Sequence, residues 1–166
     1  MEIIPMLLKE MEHEAQTTRK MLERVPEDKF SWQPHPKSMT LQRLATHVAE
    51  LPEWVNMAIT TNAWVLDEDN FKPNLAKNKA DLLELHEKSY ILGREQLEKA
   101  DEELLKQNWQ MLGGPDGKRV FYEASKEEVI RMAFCQTVHH RAQLGVFLRL
   151  LDIPIPGSYG PSADEH

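Results

Sequence analysis

The apolar positions of this chain fall into four stretches of helical period, divided by segments that carry proline or glycine. In the first, Ile4, Leu7, Leu8, Met11, Ala15, Thr18, Leu22 and Val25 recur at intervals of three and four, which places them on one helix face. The spacing predicts a helix over Ile3–Val25, stopped by Pro26. The link Pro26–Pro36 holds three prolines, and Phe30 and Trp32 are its expected anchors on the core. A second helix begins near Thr40, with Ser38 or Thr40 as its cap. Its stripe is Leu41, Leu44, Val48, Leu51, Val55 and Ala58. Pro52 lies inside that stripe and predicts a kink or a split, because proline lacks the N–H and its ring collides with the preceding turn.

Asn62–Lys77 reads as a polar connection. The third helix, Asn78–Ala100, has a thinner apolar face of Leu82, Leu85, Tyr90, Leu92 and Leu97. Beyond it, Gly113-Gly-Pro-Asp-Gly117 is a turn signal, and the residues on either side of it, Trp109–Leu112 and Arg119–Tyr122, predict a short hairpin. The fourth helix opens on Ser125-Lys-Glu-Glu128, a capping box in which Ser125 and Glu128 satisfy each other's orphan amides. It runs to about Leu151 and ends before Ile153-Pro-Ile-Pro-Gly157. Residues 157–166 form a tail that packs over the helices or frays.

Four long helices without strand–helix alternation predict an all-α fold, a four-helix bundle with long connections. The length, 166 residues, suits one domain over 1–166. No apolar run approaches the ~18 residues of a membrane span, and Met1–Lys9 lacks the basic start and apolar stretch of a leader. The expectation is a cytoplasmic protein with no membrane partner. Charge removes a further class. The 27 acidic residues outnumber the 20 basic ones for a net charge of −7, and Lys and Arg are interleaved with Glu. A nucleic-acid partner requires a basic face to displace counterions from phosphates, so none is expected. The one cysteine, Cys135, rules out an internal disulfide and reads as a small buried residue.

The candidate chemistry lies in the seven histidines. His13, His35, His86 and His166 read as surface or structural residues, although His86 stands one turn from Leu82 and can line the core. His47 lies three residues after Leu44 and four before Leu51, on the buried face of its helix. His140 follows the inward stripe of Ala133, Thr137, Leu144, Phe147 and Leu151, while His139 falls at the stripe edge. Gln136 is one turn before His140, so the two form an i, i+4 pair aimed into the bundle. Two ligand-capable side chains at that spacing can meet one metal ion, with His47 as a third contact. The alternative is a set of core imidazoles bonded to backbone and side chains.

The stretch Trp32-Gln-Pro-His-Pro-Lys-Ser-Met-Thr-Leu-Gln-Arg-Leu-Ala-Thr-His47-Val-Ala-Glu-Leu, with His139-His-Arg-Ala-Gln143, resembles the DinB/YfiT-like superfamily. The tail Pro156-Gly-Ser-Tyr-Gly-Pro-Ser-Ala-Asp-Glu165 is similar to that of one bacterial subgroup. The resemblance implies a four-helix bundle of unusual connectivity, often a homodimer. It also implies a nickel or zinc ion held by three histidines, one on the second helix and two on the fourth. On this chain the first is His47 and the last His140, while the middle position holds Gln136. An amide oxygen is a weaker and harder ligand than an imidazole nitrogen. The metal is then held less tightly, or lost, with Gln136 hydrogen-bonded to a histidine; His139 or Glu50 offers a replacement ligand. Glu50 can instead orient the His47 ring. Relatives of this type include metal-dependent thiol S-transferases that use a low-molecular-weight thiol such as bacillithiol or mycothiol. The expectation is therefore a metal-dependent transferase or hydrolase acting on a small molecule. The alternative is a non-catalytic bundle with a degenerate site that binds a small molecule or a protein partner.

Overall fold

The computed structural model describes residues 2–66 and 73–165. Helix α1 (Ile4–Leu22) ends a turn before the predicted limit. Val25 nonetheless stays fully buried, because the turn that closes the helix keeps its side chain on the same face. Helix α2 (Leu41–Glu50) starts at Thr40, whose hydroxyl accepts from the Arg43 amide, so Thr40 is the cap of the two candidates. Pro52 splits the second stretch, and α3 (Glu53–Thr60) begins directly after it. Helix α4 (Lys79–Lys99) is capped by the Asn78 side chain. A short α5 (Glu102–Leu105) follows, and α6 (Lys126–Leu150) begins at the Ser125/Glu128 capping box with both reciprocal bonds formed.

A four-helix bundle alone is not what the chain forms. The described residues hold six α-helices and a three-stranded sheet. The predicted hairpin is present as β2 (Asn108–Gly113) and β3 (Arg119–Ser125), antiparallel, with an irregularity between Met111 and Leu112. The additional strand is β1 (Ala63–Val65), parallel to β2. It lies in the segment expected to be a polar connection, of which residues 67–72 are outside the described residues. Ala63, Trp64, Val65 and Leu66 are apolar but too few to show a period, and the pairing is supplied from a distance. Leu66 donates to Leu112 (2.7 Å) and Gln110 to Asn62 (3.0 Å).

Helices α4 and α6 each pack on α1, α2 and α3. The apolar interior has two parts. One gathers Leu22, Val25, Leu41, Leu44, Leu82 and Leu148, with Phe30 and Trp32 of the link packed on its edge as expected. The other gathers Leu7, Val55, Leu97, Leu105, Trp109 and Ile130. Gly93 lets α4 cross the α2–α3 break, since a Cβ there would stand 2.4 Å from the Pro52 carbonyl oxygen. The fully buried Lys126 joins the start of α6 to the end of α3, its Nζ donating to the carbonyls of Ala58 (2.9 Å), Ile59 (3.2 Å) and Thr61. Burial holds its pKa below the ordinary lysine value, and the carbonyl end of a helix is where a cation is favoured. No described helix is long and apolar enough to cross a membrane.

Candidate metal centre

The α2 and α6 stripes bring His47 and His140 together, with ring centres 4.7 Å apart and planes inclined at 73°. Each ring is held through Nδ1. The His47 Nδ1 lies 2.7 Å from Glu50 Oε1, one turn further along α2. The His140 Nδ1 lies 2.8 Å from Gln143 Oε1, one turn further along α6. A carboxylate and an amide oxygen only accept, so both Nδ1 atoms carry a proton, and in the neutral form of each ring Nε2 keeps a lone pair. Among the described residues nothing hydrogen-bonds either Nε2. Arg43 Nη1 stands 3.5 Å from the same Glu50 oxygen and steadies it. Burial, first, and electrostatic interaction with His47, His139 and Arg43 lower the His140 pKa against the opposing bond from Gln143. The ring is therefore neutral, as a ligand must be, at neutral pH.

The arrangement fits an ion in part. A single zinc ion bound by two imidazole nitrogens at about 2.0–2.1 Å sets the ring centres roughly 5 Å apart, close to the observed spacing. A hydrogen bond from the second ring nitrogen to an acceptor is the usual support for a ligating histidine. The third donor is less favourable. Gln136 is half-buried, one turn before His140, and makes no hydrogen bond to either ring among the described residues. No three His, Cys, Asp or Glu residues assemble into an ion-binding group among the described residues.

The other candidates separate from this pair. His139 is exposed; its ring stands 4.8 Å from that of His140, but it lines a different cavity with Glu10, Arg131, Cys135 and Tyr159. Cys135 is exposed, not buried, because its position on α6 opens onto the cavity it shares with His139 and Glu10. His140 is only half-buried, since the outer end of its ring meets Gln143 at the surface. His86 is enclosed, 1% exposed, and its Nε2 donates to the Ala15 carbonyl at 2.9 Å. His13 and His35 are exposed, and His166 lies outside the described residues.

Two features went unread in the sequence. The first is a cavity of about 400 Å³ beside His47, walled by Trp54, Met57, Trp64, Glu50 and Glu53. Trp54 packs against His47 with ring centres 6.0 Å apart. The i, i+7 spacing of His47 and Trp54 was a visible signal; Trp64 arrives on the unforeseen β1. The second is a polar knot around Arg141, the residue after His140. Arg141 Nη1 stands 2.6 Å from Glu14 Oε2 and donates to Thr18 Oγ1 at 3.0 Å. Its Nη2 donates to the Tyr159 hydroxyl at 2.8 Å, which in turn donates to Glu14 Oε1 at 2.7 Å. The tail thus packs over the helices. A second tie is Asp164, held below the usual carboxylate range by Arg149.

The DinB family is the one whose sequence model matches, over residues 4–166. No match is found among curated proteins. Of solved structures, the fold is similar to a DinB-like protein from Bacillus subtilis, with a TM-score of 0.70 and 16% identity over 92% of this chain and 97% of that one. It is also similar to a DinB-like protein from Bacillus cereus, with a TM-score of 0.69 and 19% identity over 92% of this chain and 95% of that one. At these identities the likeness is one of fold. The sequence match over almost the whole chain, together with this arrangement of helices, makes it a member of the DinB family.

Proposed function

We propose that this DinB-family protein binds a divalent metal, zinc or nickel, through His47 and His140, with the Gln136 amide oxygen as the third donor. The reaction we assign is transfer or hydrolysis on a small molecule. The observation that carries the reading is the pair of imidazoles whose Nδ1 atoms are both engaged while both Nε2 atoms are left to donate. When bound, such an ion lowers the pKa of a thiol or of water and so supplies a nucleophile near neutral pH. The protein's own residues do the rest. Glu50 holds the His47 ring and its tautomer, Arg43 steadies the Glu50 carboxylate, and Gln143 does for His140 what Glu50 does for His47. The Trp54 indole, packed at a steep angle to the His47 ring, shields one side of that ring from water. A low-molecular-weight thiol is the co-substrate this reading favours, and a homodimer is the assembly.

Gln136 supports a second reading, a bundle of the same fold that binds a small molecule or a protein without catalysis. Metal analysis of protein purified without a nickel column separates the two. The first reading expects near-stoichiometric zinc or nickel and a rise in Tm on adding the ion. A Kd exceeded 100-fold by free metal corresponds to about 2.7 kcal/mol. Less than about a tenth of an equivalent and no gain in Tm overturns it. Gln136→His then reports the rank of the third ligand. Affinity should rise at least about tenfold if the amide oxygen is the weak donor. Affinity appearing only in that variant establishes the second reading. Sedimentation at micromolar concentration tests the assembly, and a monomer mass refutes the dimer.

A further inference from the structure

The cavity beside His47 has a chemistry of its own. Its volume, about 400 Å³, lies in the range of small-molecule sites, roughly 300–1,000 Å³. Its apolar walls are the indoles of Trp54 and Trp64, whose ring centres stand 6.4 Å apart with planes inclined at 43°, and the Met57 side chain. Both indoles line the cavity. Its charged walls are Glu50 and Glu53, and no Lys or Arg lines it among the described residues. The two carboxylates differ. Glu50 is occupied by His47 and Arg43. Glu53, in the first turn of α3, has no ion-pair partner among the described residues.

These walls select by charge. An indole presents the negative face of its quadrupole and is the best aromatic partner for a cation within about 6 Å. The same faces and two carboxylates repel an anion, and a neutral apolar group gains nothing from Glu53. We propose that this cavity is a binding site for a small organic cation, an amine or quaternary ammonium with an apolar body, its charge set between Trp54, Trp64 and Glu53. The site adjoins His47, so a ligand seated there brings its uncharged end toward the histidine pair. The assignment goes beyond the metal reading and holds whether or not an ion is bound.

The test uses three probes of one shape on the full chain: choline, the neutral isostere 3,3-dimethylbutan-1-ol and the anion 3,3-dimethylbutanoate. Each is titrated into EDTA-treated and zinc-loaded protein, with the indole N–H signals of the four tryptophans as the readout. In EDTA-treated protein choline should bind at least about 5-fold more tightly than the alcohol, with the anion weakest. Shifts should be confined to Trp54 and Trp64 and absent from Trp32 and Trp109. Glu53→Gln, at an exposed position, should cut the preference for choline at least about 3-fold, and Trp64→Leu should remove it. Equal binding of choline and the alcohol overturns the proposal, as does tightest binding of the anion or no response to choline at about 50 mM. The three affinities are compared in EDTA-treated protein, and metal content is measured separately. Failure of the metal reading therefore leaves the choline preference intact, and failure of the cation site leaves the metal content unchanged.

Discussion

Arg141 and His140 are neighbours on α6, and their surroundings have opposite character. Arg141 is 2% exposed, and its guanidinium is met by the Glu14 carboxylate, the Thr18 hydroxyl and the Tyr159 phenol. Tyr159 closes the loop by donating back to Glu14. His140 is half-buried, bonded at one nitrogen and set against a second imidazole whose Nε2 likewise finds no described hydrogen-bond partner. A buried charge network with its partners present holds the fold, because breaking it strands a charge in a low dielectric. A histidine pair with two lone pairs left to give, beside a cavity, has capacity to spare for a ligand. The contrast separates a structural motif from a candidate site within one turn of one helix.

The largest effect should come from the closed network. Arg141→Met leaves Glu14 buried without its cation and should cost about 3–5 kcal/mol in denaturant unfolding. A loss below about 1 kcal/mol would show that the knot is dispensable and break the contrast.

His86 sharpens the comparison as an imidazole of the enclosed kind. Burial is the main cause that lowers its pKa from 6.5. Its folded value lies below its unfolded value, so between the two the unfolded chain binds more protons. The stability it contributes is full above pH 6.5 and is lost as the pH falls from there to the depressed folded value. NMR titration of the His86 ring should give a midpoint below 6.5, and unfolding should become easier over the same interval. A midpoint at or above that value would mean the ring is not enclosed.

The smallest effect belongs to the open pair. His140→Leu replaces an incompletely bonded ring by an apolar group. It should change metal-free stability by less than about 1 kcal/mol, while removing any Tm gain from added zinc or nickel. A cost like that of Arg141→Met would place His140 among the structural residues instead.

Much of the helical frame was legible in the sequence because its signals are local. Period, the capping box at Ser125–Glu128 and the break at Pro52 each act within a turn or two of the chain. The convergence of His47 and His140 was legible for the same reason, since each lies on an inward stripe. Strand β1 was not, because Ala63–Val65 is held by a partner more than forty residues away in β2. Cys135 was misplaced because a residue's type does not say which neighbour covers it, and α6 leaves that position exposed.

Arg141 marks the boundary between the two kinds of information. Its place beside His140 follows from the sequence, as do the helix that carries both and the glutamine one turn before His140. What surrounds each residue was decided by the tertiary structure. α1 supplies Glu14 and Thr18, and the folded-back tail supplies Tyr159. α3 and β1 bring Trp54 and Trp64 to one cavity beside His47. Helix period depends on residues three and four apart, whereas saturation of a buried polar group depends on atoms that only the packed chain brings within hydrogen-bonding distance.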